Sequence, residues 1–168
     1  MRLRKLLQNI SSLLPIRYLV LIFIKIGHFI ERIWSNLKFK ALITNSGNST
    51  CHYSTEIKYG YNIKIGHYSR IGPNCTLGAL SKIHIGDNVV ISKGVTIETA
   101  GLDYKEGPPY KRHKSSPITI ENGTWIGSNV IILGGVIIGE NSIIGAGCVI
   151  TKNIPQNSVI VGMSNRKL

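Results

Sequence analysis

The chain is poor in acids, in aromatics and in cysteine. Asp and Glu total 8 against 20 Lys and Arg in 168 residues, which leaves a formal charge of +12. An excess of that size points toward an anionic partner: nucleic acid, an anionic lipid surface or a phosphorylated ligand. Aromatic residues make up only 7% of the chain and no nucleic-acid motif is present, so nucleic acid is not expected as a partner. Three cysteines are an odd, small number, too few for a disulfide framework. No CxxC or HxxxH pair suggests zinc, and no metal is expected. A reducing, cytoplasmic compartment is the simplest fit. Long apolar runs are missing too. The stretch Tyr18–Ile24, bounded by Arg17 and Lys25, is too short to span a bilayer, and no A-x-A-like cleavage site marks a signal peptide.

What the chain does have is a period of six. Isoleucine stands at 120, 126, 132, 138, 144 and 150, and glycine follows it in Ile126-Gly127, Ile138-Gly139 and Ile144-Gly145. Four places after each isoleucine comes a compact residue: Thr124, Val130, Val136, Ser142 and Cys148, with Ile154 the exception. This step fits neither a helix nor a half-buried strand. It is the mark of a parallel β-helix, in which each hexad makes one short strand and one corner. Three hexads close a triangular coil. Ile126 is then expected over Ile144, and Ile132 over Ile150, at the strand spacing of roughly 4.8 Å. Gly123, Asn129, Gly134-Gly135, Asn141 and Gly147 suit the corners. Cys75 and Cys148 fall at inward small positions and read as core thiols.

The pattern recurs upstream in Ile65-Gly66, Ile71-Gly72 and Leu77-Gly78, and again at Ile85, Ile91 and Ile97. It stops from Gly101 to Pro117. That segment, rich in proline, glycine and charge, is expected as one long loop protruding from the coils, where function tends to sit. The expected organisation is an N-terminal basic amphipathic helical segment over residues 1–50 and a β-helix domain over residues 51–168 that carries loop 101–117. Residues 1–40 hold Arg2, Arg4, Lys5, Arg17, Lys25, Arg32, Lys38 and Lys40 against Glu31 alone. Drawn as a helix over Ile16–Trp34, the segment puts Arg17, Lys25, His28, Glu31 and Arg32 on one side. Leu19, Val20, Ile22, Phe23, Ile26 and Ile30 fall mostly on the other. This is the pattern of an interfacial helix at the inner face of a membrane, or of one packed on the coils or on another subunit.

The stretch from Trp125-Ile126-Gly127 through Gly134-Gly135 and Ile144-Gly145-Ala146-Gly147 to Thr151-Lys152 resembles the hexapeptide-repeat acyltransferases, in the branch of the sugar O-acetyltransferases and serine acetyltransferases. The resemblance covers roughly residues 63–163. It implies an all-β fold, a left-handed parallel β-helix of hexapeptide repeats, with the N-terminal helical segment and the loop as additions. It also implies a homotrimer with active sites between subunits, and transfer of an acetyl group from acetyl-CoA to a hydroxyl or an amine. By the same resemblance Trp125, Ser128, Ala146, Thr151 and Lys152 would contact the coenzyme. Arg166 would serve its phosphates, and Asn74 would lie in the active cleft.

Attack by a hydroxyl on a thioester needs a general base near neutrality, and histidine fits. The position where the sugar acetyltransferases place it is Leu102 here; the serine acetyltransferase position is Lys93. His113, in Lys111-Arg112-His113, is somewhat similar to the Lys-Arg-His of the serine acetyltransferases and is the expected base or acceptor ligand. His67, His84, Glu98 and Asp103 are the alternatives. The expected function is O-acetylation of a saccharide in surface polysaccharide synthesis. The competing readings are acetylation of an amino-acid or other amine acceptor, and a β-helix trimer that has lost its base and acts as a scaffold. A metal-dependent β-helix enzyme would need a third histidine beside His67 and His84, and none is in place.

Overall fold

The computed structural model describes residues 14–103 and 113–162, and the backbone of 166–167. Lys111 and Arg112 of the basic cluster, and Arg2, Arg4 and Lys5, lie outside the described residues.

The helix Leu14–Leu42 is followed by short strands that wind into coils. The chain divides into two compact units, Met1–Trp34 and Ser35–Leu168. In the first unit, no side chain from Arg17 to Trp34 is buried. In the second, the last turns of the helix join the coils. Phe39 and Ile43 are buried in the same core as the first coil. Lys38 Nζ donates to the carbonyls of Tyr53 (2.6 Å) and Thr55 (2.9 Å), and Tyr53 N–H donates to Ser35 Oγ at 3.0 Å.

The coils have three faces, sheets of seven, five and four strands, parallel except for the final strand Arg166–Lys167. The expected stacking is observed. Ile126 pairs with Ile144 and Ile132 with Ile150, and Ile97 lies on the other side of Ile132. These isoleucines are fully buried, each worth about 1.5–3 kcal/mol relative to exposure. The compact residues sit at the inner corners, where room is smallest. A hydroxyl at such a corner can bond to the neighbouring coil, as at Ser69, whose Oγ donates to Gly86 O (2.7 Å) and accepts from Val89 N–H (2.9 Å). Among the described residues the buried Ser158 Oγ has no such partner.

Corners need left-handed backbone, which asparagine tolerates best after glycine. Asn74, Asn88, Asn129, Asn141 and Asn157 all have φ between 54° and 58°. At Gly127 the constraint is close approach: a Cβ there would lie 2.7 Å from both Ala146 N and Ile144 O of the next coil.

Two expectations are corrected. The coils begin earlier than the hexad pattern indicates. Thr50–Cys51 pairs with Arg70–Ile71, and Glu56–Lys58 with Thr76–Gly78. His52 therefore lies inside the first coil, with its N–H donating to Ile71 O at 3.0 Å. The segment 101–117 is also more than a loop. Its two ends form an antiparallel hairpin, Ala100–Leu102 with His113–Ser115, because backbone leaving and re-entering one corner can pair with itself.

Candidate active site

The triangular winding sorts the candidate residues by corner. The corner that joins the seven-stranded to the five-stranded face carries Pro73, Lys93, Ser128 and Ala146 one above another, with Asn74 one residue on, in the register of Gly94, Asn129 and Gly147. Gly94 N–H donates to Pro73 O, Asn129 N–H to Lys93 O and Gly147 N–H to Ser128 O, each at 2.9–3.0 Å. Coil spacing therefore holds these residues in a column. Trp125 stands next to this column on the outer surface of the seven-stranded face, between Val90 and Ile143. It is 55% exposed, and its Nε1–H donates to Ser92 Oγ at 3.3 Å. The N–H edge of the indole is thus held while much of the ring is open to solvent.

The second corner, between the five-stranded and four-stranded faces, carries the hairpin and, further along the stack, Thr151 and Lys152, both exposed. The hairpin is fixed at its base. Ser116 N–H donates to Thr99 O (3.0 Å), the hydroxyls of Ser81 and Ser115 are 2.7 Å apart, and Glu98 Oε1 accepts from Ala100 N–H at 3.1 Å. In its register His113 lies directly opposite Leu102. The one described histidine of the hairpin therefore stands across the strand from the position where the sugar acetyltransferase resemblance expects the base. Both residues are exposed. No sequence signal gives this pairing, because it depends on register and not on period.

Asn74 and His113 lie on different corners of one chain, and so do Ser128 and Lys152. Arg166 is paired with Val161 through its backbone; its side chain lies outside the described residues. The third corner has a cavity of about 340 Å³ lined by Lys64, His67, His84, Asp87 and Asn122. His67 and His84 are thus drawn together, away from the other candidates. Asp87 Oδ1 is already occupied, accepting from His67 N–H at 2.6 Å. Among the described residues no three His, Cys, Asp or Glu side chains are grouped to hold a metal.

The thiols are not available as nucleophiles. Cys51, Cys75 and Cys148 are free and buried. Burial pushes the Cys51 thiol up to about 11 and raises those of Cys75 and Cys148. At neutral pH all three stay protonated, and the thiolate is the reactive form.

Known proteins share this architecture and much of this sequence. The family model for the bacterial transferase hexapeptide (six repeats) matches residues 117–152, and that for the hexapeptide repeat of succinyl-transferase matches residues 68–99. Galactoside O-acetyltransferase of Escherichia coli (strain K12) is 44% identical over 113 residues, which is 64% of this chain and 54% of that protein. The chain thus spans about half the length of that curated relative. A maltose O-acetyltransferase from Clostridium difficile 630 is 34% identical, with a TM-score of 0.69 over 77% of this chain and 71% of that one. A galactoside acetyltransferase solved in complex with coenzyme A is 38% identical, with a TM-score of 0.70 over 77% of this chain and 66% of that one. From repeat, register and kinship together, the chain belongs to the hexapeptide-repeat acyltransferases, in their sugar O-acetyltransferase branch.

Proposed function

We propose that the protein is an acetyl-CoA-dependent O-acetyltransferase that acts on a hydroxyl of a saccharide, with surface polysaccharide synthesis as its setting. The observation that carries the proposal is the pairing of His113 with Leu102, which returns an imidazole to the place where this branch needs its base. The bound donor would supply the acetyl thioester. The acceptor hydroxyl would give its proton to His113 as its oxygen bonds to the acetyl carbon, the carbon–sulfur bond would break, and the departing coenzyme thiolate would take that proton from the imidazolium to leave as thiol. The residues fit such a donor. The exposed ring of Trp125 and the column Ser128–Ala146 suit an extended arm, and Lys152 suits a phosphate. Asn74 would orient the acceptor, and Arg166 would lie near the nucleotide.

Asn74 and His113 sit on separate corners, so one complete site requires a second copy to bring its corner alongside. This supports a homotrimer, which light scattering would test through the mass in solution. The same reading places residues 1–40 at the inner face of a membrane, as a peripheral contact of a cytoplasmic enzyme. No helix among the described residues is long and apolar enough to cross one. The absence of histidine at both Leu102 and Lys93 favours a second reading, a trimer that binds without turnover.

The test is thiol release from acetyl-CoA with a panel of sugar and amine acceptors, wild type beside His113→Ala. Turnover on sugars that is lost in the variant, with coenzyme binding kept, is the expected result. Coenzyme binding with no turnover on any acceptor would support the scaffold.

A further inference from the structure

The segment Arg17–Trp34 has an unusual surface. Phe23 is 70% exposed, Phe29 64%, Ile30 59% and Trp34 59%, and Leu19, Ile22, Ile26 and Ile33 are exposed with them. At 100° per residue these eight side chains fall within one half of the helix circumference. Arg17, Lys25, His28, Glu31 and Arg32 fall within the other half. An exposed apolar stripe this long marks an interaction surface and not ordinary scatter.

Charge identifies the occupant. Among the described residues Arg17, Lys25 and Arg32 make no hydrogen bond or ion pair, while Glu31 is engaged by His28 Nδ1 at 3.2 Å. By contrast Lys38 and Lys40, further along, are tied to backbone and hydroxyl oxygens of the coils. The uncommitted cations therefore lie on the half of the helix away from the stripe, with the exposed Leu21 and Ile24 among them. Two copies joined through their stripes would leave these cations facing outward with no counter-charge, in a protein already at +12. An anionic surface that is apolar a few ångströms below its charges satisfies both halves of the helix.

We infer that the helix segment Arg17–Trp34 lies in the plane of an anionic phospholipid bilayer, with Phe23, Phe29, Ile30 and Trp34 in the acyl boundary and Arg17, Lys25 and Arg32 at the headgroups. This deepens the peripheral contact proposed above by naming its lipid class and its residues. It depends on the acetyltransferase reading only for its setting. Its consequence is that acceptors carried on lipid would be met in two dimensions, whereas soluble acceptors would gain nothing.

The experiment is sedimentation of the full chain with vesicles of phosphatidylcholine alone or mixed with phosphatidylglycerol. Each headgroup cation contributes about a five-fold gain in partitioning, so a net two charges (three cations less Glu31) predict roughly 25- to 30-fold tighter binding to the anionic vesicles. That preference should shrink as salt is raised. Phe23→Asp with Phe29→Asp should abolish binding to both. Arg17→Glu with Lys25→Glu and Arg32→Glu should remove the preference for anionic lipid. Both sets change exposed positions only, and circular dichroism will show that the coils remain folded. No sedimentation with either vesicle, or equal binding to both, would overturn the inference. So would an absence of vesicle binding together with a solution mass that falls when Phe23 and Phe29 are changed, since the stripe would then join copies. Vesicle binding needs no turnover, so a failure of the acetyltransferase reading would show in thiol release and leave this result standing.

Discussion

If His113 works because its strand register puts it beside position 102, the imidazole should be movable across the hairpin. The perturbation is His113→Ala, alone and with Leu102→His. Directly opposed residues of an antiparallel pair have Cα atoms about 4.5–5.5 Å apart and side chains on the same face. A histidine at 102 therefore starts roughly one side-chain length from the original. Positioned general bases contribute about 100- to 10,000-fold. The single variant should lose at least about 100-fold in turnover with its coenzyme affinity unchanged, because His113 takes a proton and holds no part of the donor. The double variant should recover at least about tenfold of that loss, the shortfall reflecting an imidazole displaced by an ångström or more. The assay is steady-state thiol release with a saccharide acceptor, beside calorimetric coenzyme binding. The substituted positions are exposed, and the hairpin base is held by Ser81, Thr99 and Ser115, so folding should survive. Wild-type turnover in His113→Ala would refute the reasoning. So would a double variant that binds coenzyme and shows no recovery.

Three further outcomes follow from the coils. Ile132→Ala empties one place in the column between Ile97 and Ile150, and urea unfolding should show a loss of about 2–5 kcal/mol. Gly127→Val drives a side chain against the backbone of Ala146 and Ile144 and should cost about 1–3 kcal/mol or more in the same measurement. Alkali should weaken the fold through Cys51, whose thiol is raised from 9.0 to about 11. The unfolded chain releases that proton first, so stability is whole below about pH 9 and falls as pH rises toward about 11, by on the order of 2–3 kcal/mol. Cys51→Ala should flatten that dependence, and an unchanged slope would show that Cys51 is not its source.

The sequence revealed most where inward residues recur without interruption. From Ile120 to Ile150 each isoleucine predicts its own partner, because a side chain that must fill the same space in every coil leaves a strict period. The first coil escaped because Cys51 stands where isoleucine marks the later coils, and because extra corner residues lengthen its turns. The coils from Cys51 to Ile71 and from Ile71 to Ile91 therefore step by twenty residues, not eighteen. The hairpin escaped for another reason. Ala100–Leu102 and His113–Ser115 have no apolar alternation, and their pairing is set by the corner they share. Thus His113 and Leu102 were each visible as residues, but their pairing was not. The hand of the winding and the coenzyme-binding roles expected of Trp125, Ser128 and Lys152 rested on the family resemblance alone, since periodicity is blind to both.

The most direct test of the central claim is transfer of an isotopically labelled acetyl group from acetyl-CoA to a saccharide by the full chain, read by mass spectrometry of the acceptor. The account predicts an acetyl ester on a sugar hydroxyl, formed in step with free coenzyme thiol. A chain that binds no coenzyme A and leaves every sugar unmodified would contradict it, and label found solely as an amide on amine acceptors would contradict the choice of a hydroxyl.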